Sequence, residues 1–195
     1  MKKINTSLYL IISILFSVNS FSGEEIFDKS RVWNVQIVGD EFIFYRVPGQ
    51  SVWGHRYGFV KQRPNCSQDQ FFLEWSSYED IKPYEGQDIP ISMINEQGIG
   101  SKLKPTLIAV KDFTSIMQVG FFAEDDRGYS YSSAFKDFNK NSKQVTLSIG
   151  DDFENFDIKT DTFLTSGYEK ARMNAEKTCR GLASNDQILT AELMK

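Results

Sequence analysis

Histidine and cysteine are the scarce reactive residues of this chain, and they limit the chemistry it can carry. His55 is the sole histidine among 195 residues. A Ser-His-Asp site would have to use it, and no GxSxG elbow accompanies it. One histidine also excludes a multi-histidine zinc or iron centre. Gly54-His55-Arg56 therefore reads as a polar loop element with a hydrogen-bonding side chain. No catalytic residue, metal ligand or cofactor is assigned.

Two acidic groups, Glu124-Asp125-Asp126 and Asp151-Asp152 with Glu154, invite comparison with calcium loops. Neither has the spaced oxygen ligands that calcium requires, so both read as solvated turns. A carboxylate pair for glycoside hydrolysis can be distant in sequence, and nothing here identifies its two members.

Cys66 and Cys179 are the two cysteines, and they stand 113 residues apart. In an exported chain such a pair reads as a disulfide; two buried free thiols are the alternative. The spacing rules out a CxxC redox motif, and zinc would need further ligands.

Aromatic residues supply the candidate binding groups. Trp53, His55 and Tyr57 alternate in a glycine-flanked segment, and Trp75 and Tyr78 follow Cys66. Trp53 and Tyr57 could anchor an interface through apolar area and a polar handle. The same side chains could equally fill a β-sheet core.

The elements that must position these groups are mostly strands. Trp33, Val35 and Ile37 alternate with Asn34 and Gln36, Gly39-Asp40 makes a turn, and Glu41–Arg46 returns as the second strand of a hairpin. Residues 49–68 look irregular. Strands are expected at Gln70–Trp75, Asp88–Ile94, Thr106–Val110, Ile116–Ala123 and Val145–Ile149, and Phe153, Phe156 and Ile158 belong to a neighbouring strand or its lead-in. Pro90 suits the beginning or edge of its strand. Gln97–Lys104 reads as an internal loop, and Tyr129–Ser133 shows aromatic alternation. The period then changes. Tyr168, Ala171, Ala175, Cys179 and Leu182 share one helical face, with Thr165 or Ser166 as cap and Glu169 completing a capping box. A shorter helix is placed over Asn185–Leu193.

These elements predict a mainly β domain, an antiparallel β-sandwich or strongly curved sheet with a packed C-terminal α-helix. Its inward residues are Trp33, Val35, Phe44, Leu73, Val119, Val145, Leu147, Ala171 and Ala175. The recurring long helices of a parallel sheet are missing.

Lys2 and Lys3 precede the apolar run Leu8–Phe16, and small polar residues follow up to Ser22. This is a signal-peptide pattern covering residues 1–22, with one domain over 23–195. The run is shorter than the about 20 residues that span a bilayer, so no stable membrane insertion is expected after cleavage. Losing the two lysines takes the formal charge from −4 to −6, which excludes nucleic acid as the natural partner. The expected protein is therefore periplasmic or secreted. It binds another envelope or exported protein as an inhibitor, immunity factor or accessory factor. A hydrolase using a carboxylate pair and a structural envelope component are the alternatives.

Overall fold

The computed structural model describes residues 32–52, 54–111, 114–118 and 131–181. Two antiparallel sheets share one core. The first contains β1 (Asn34–Val38), β2 (Phe42–Pro48), β3 (Arg56–Gln62), β4 (Asn65–Ser76), β7 (Thr106–Lys111) and β8 (Thr114–Gln118). Their order across the sheet is β1-β2-β3-β4-β8-β7. The second contains β5 (Ile91–Asn95), β6 (Gly100–Leu103), β9 (Gln144–Ile149) and β10 (Thr160–Leu164), ordered β10-β9-β5-β6. Helix α1 (Tyr131–Asn141) precedes β9, and α2 (Tyr168–Cys179) follows β10. Among the described residues no helix is long and apolar enough to cross a membrane.

Alternation decides which side chains face the core. Ile43, Tyr45 and Val47 of β2, Tyr57 and Phe59 of β3, and Phe71, Leu73 and Trp75 of β4 point inward. They meet Ile91, Met93, Val145, Leu147 and Phe163 of the second sheet, together with Tyr168, Ala171, Ala175 and Cys179 of α2. The alanines let α2 lie close against β2 and its neighbours. The expected inward residues Trp33, Leu73, Val145, Leu147, Ala171 and Ala175 belong to this core, and Val35 packs on its margin. Phe44 does not. It sits one residue out of phase with Ile43 and Tyr45, and so joins a separate cluster with Val38, Phe42, Val60 and Phe72 on the other face. Val119 and the 185–193 helix lie outside the described residues.

Other expectations need correction. The irregular stretch contains β3, and the Gln97–Lys104 loop contains β6. Tyr131, in the stretch of aromatic alternation, begins a helix, whereas the segment around Phe153–Ile158 is, as one of the two expected readings has it, the turn-rich lead-in to a strand, β10. Helix α2 is preceded by Gly167 at φ 90°, without a side-chain cap. Thr165 instead gives its hydroxyl to the Ser142 carbonyl. Glu169 still places a negative charge in the first turn, where the helix dipole favours it.

The Cys66 and Cys179 sulfurs are bonded at 2.06 Å, joining the start of β4 to the end of α2. Arg63 strengthens the same junction: its guanidinium donates to the carbonyls of Cys179, Thr178 and Asp40.

Candidate functional site

The loop between β2 and β3, residues 49–55, is held from beneath by one buried carboxylate. Asp161 lies on β10 with its side chain turned inward, between Thr160 and Thr162 on the outer face. Its Oδ1 accepts the Ser51 amide at 2.9 Å, and Oδ2 accepts the Val52 amide at 3.0 Å. His55 Nδ1 stands 3.0 Å from Oδ2, and His55 Nε2 stands 3.0 Å from the Ser76 carbonyl oxygen. Each ring nitrogen thus faces a protein acceptor. The imidazole stacks on Trp75 at 4.0 Å between ring centres, and the indole is tied to the Ile158 carbonyl.

Local sequence explains how the loop reaches this position. Gly49 donates to the His55 carbonyl, and Gln50 donates to Thr162 across the gap between the sheets. A side chain at Gly49 would place Cβ 2.2 Å from Asp161 Oδ2, and one at Gly54 would come 2.0 Å from Ser76 Oγ. Both glycines are therefore required by close approach rather than by turn geometry.

Burial disfavours the Asp161 charge. The hydrogen bond to His55 and those from the Ser51, Val52 and Thr162 amides outweigh that effect and bring its pKa down to about 2. The pair has no route to a substrate, because both side chains are fully buried. A general base needs a reacting proton within reach, and here each ring nitrogen already faces a protein oxygen. His55 is thus the hydrogen-bonding residue expected from its sequence setting, although it is buried rather than presented on a loop surface.

A second polar group lies under α2. Lys61 Nζ and Asp69 Oδ1 form an ion pair at 2.7 Å, both almost wholly buried, with Lys136 Nζ 3.6 Å from the other carboxylate oxygen. Burial and the nearby Asp69 charge hold the Tyr45 hydroxyl well above its usual pKa. On the opposite face of the first sheet, Glu74 bridges Arg46 and Arg56. Burial works against its ionisation, but the two guanidinium groups win and lower its pKa.

Of the predicted binding residues, Trp53 lies outside the described residues. Tyr57 is a correction. It is fully buried, packs against Trp33, Phe59, Phe71 and Phe163, and gives its hydroxyl to Asn139 Oδ1 at 2.9 Å. Its place on the inward stripe of β3 removes it from any surface. Tyr78 is the exposed aromatic of the neighbouring segment, at 82%. Glu124–Asp126 lie outside the described residues, whereas Asp151, Asp152 and Glu154 occupy exposed turns. Among the described residues no group of three or more His, Cys, Asp or Glu could hold a metal ion.

Asp161 escaped the sequence reading because its partner His55 lies 106 residues away, and one aspartate among many carries no mark. An open cleft of about 560 Å³ beside the disulfide is lined by Arg63, Pro64, Ser67 and Arg180. Arg63 is committed there to three carbonyls rather than to the cleft. No family model, curated protein or solved structure matches the chain.

Proposed function

We propose that this is an exported binding protein, acting in the periplasm or after secretion, and that the loop of residues 49–54 is its contact surface. The observation that carries this reading is the attachment of the loop to Asp161. Two loop amides are satisfied from within the protein, and the carboxylate is itself fixed by His55. A loop ordered before contact loses less conformational entropy when a partner arrives. Trp53 provides the side-chain type best suited to anchoring such a contact, with a large apolar area and one N–H donor. The partner is another exported or envelope protein, and inhibitory, immunity and accessory roles differ only in which one it is.

The test is capture from an envelope extract with the oxidised protein, compared with Trp53→Ala and with a photo-crosslinking residue at position 53. Loss of one partner from the folded Trp53→Ala variant, and crosslinking of that partner, are expected. Equal capture by both proteins, with circular dichroism showing both folded, would reject this contact surface.

A further inference from the structure

We propose that the free edge of β1 pairs with β1 of a second copy of this chain, extending the six-stranded sheet across a two-fold axis at Gln36. This goes beyond the binding loop and does not depend on it.

A sheet edge exposes unpaired backbone donors and acceptors, and proteins normally obstruct it. Of the four sheet edges formed by the described residues, three are obstructed. Beside β7, Gly86 donates to Leu107, Leu107 donates to Gln87, and Ile89 donates to Pro105, while a bulge separates Leu107 from Ala109. β10 is met by the Gln50 amide at Thr162. β6 has only four residues and carries Lys102, with Lys104 just beyond.

Among the described residues, β1 has none of these protections. Asn34–Val38 contains no charge, glycine or proline, pairs with β2 over its full length, and shows no bulge. Among the described residues, no backbone hydrogen bond reaches β1 from a segment other than β2. Ile37 is 50% exposed on this edge, and Val32 just before the strand is 48% exposed.

The residue order is self-complementary in the antiparallel sense. With Gln36 opposite Gln36 of the second copy, Val35 faces the copy's Ile37, and Asn34 faces its Val38. Each apolar pair forms twice, as an isologous contact requires. No like charges oppose one another, which would count against pairing. The Gln36 side-chain oxygen accepts from Arg46 at 2.6 Å with one lone pair, leaving the other to accept from the NH₂ group of the equivalent amide across the axis.

The experiment is sedimentation velocity of the oxidised protein, produced from the full chain, over a range of micromolar concentrations. A shift from one chain's mass to two is expected as concentration rises. Gln36→Glu keeps an acceptor for Arg46 but sets like charges opposite each other, and is expected to weaken dimerisation about threefold. Mixing Gln36→Glu with Gln36→Lys should give mixed dimers above the statistical half. Under mild oxidation Gln36→Cys should crosslink to a dimer, while the exposed Ser92→Cys on the second sheet should not. A monomer at every concentration overturns the proposal. So does a dimer in which the charge variants pair at random and residue 36 does not crosslink.

Discussion

Asp161 joins β10 to the loop before β3 through contacts with Ser51, Val52 and His55. Its ionised form is bound more strongly in the folded protein than in the unfolded chain, because its folded pKa of about 2 is below the usual carboxylate value. The linked stability is therefore present above about pH 4 and is lost as the pH falls through about 2. Urea unfolding across that window should show wild type losing about 2 kcal/mol more than Asp161→Asn. Parallel pH profiles for the two proteins would contradict this. The hydrogen-bonding character of His55 was legible in its sequence context, but its acceptor was not. Burial of Tyr57 was one of two readings that the sequence left open, since an alternating aromatic fits a surface strand and a core strand.

At the scale of elements, β3 was concealed by Lys61. A lysine on the inward stripe breaks the apolar alternation unless a carboxylate is known to await it, and Asp69 is supplied by the next strand. Removing one partner leaves the other charge buried, which costs about 3 kcal/mol, while an apolar pair of similar volume avoids that penalty. Asp69→Leu, which strands Lys61, is expected to destabilise the protein by that amount and Lys61→Met by less, because Lys136 stays beside Asp69. Lys61→Met and Asp69→Leu together should recover most of the loss. Chemical denaturation of the two single variants and the double variant measures the difference. Helix α2 was legible because its apolar positions recur at helical spacing, whereas its start was misread. Serine and threonine mark the usual cap, but the chain turns at Gly167 through a positive φ. Gly167→Ala should cost about 1 kcal/mol through backbone strain, read as a lower thermal midpoint, because Trp33 lies far enough away to admit a methyl group.

Across the whole molecule, the disulfide links residues separated by 113 positions and fastens the last described helix to the middle of the first sheet. Replacing both cysteines by alanine is expected to lower stability by up to about 5 kcal/mol in the loop-closure account. Hydrogen exchange should accelerate first at the C-terminal end of α2, which would lose its covalent tie and keep the Arg63 hydrogen bonds. Exchange that quickens equally throughout would contradict that order. The pairing and the β-rich architecture were both legible from the sequence. The division of strands between two sheets was not, because alternation marks a face without naming the sheet opposite it.

Trp33 also links the beginning of the architecture to its end. Its indole donates to the Leu164 carbonyl, 131 positions along the chain, and packs edge-on against Tyr168. The residue that leads into β1 therefore cannot acquire its complete surroundings until Tyr168 has been made. Contacts of such long range slow folding, because the entropy of closing the loop is lost before the contact forms. Closure around Trp33 thus waits for α2.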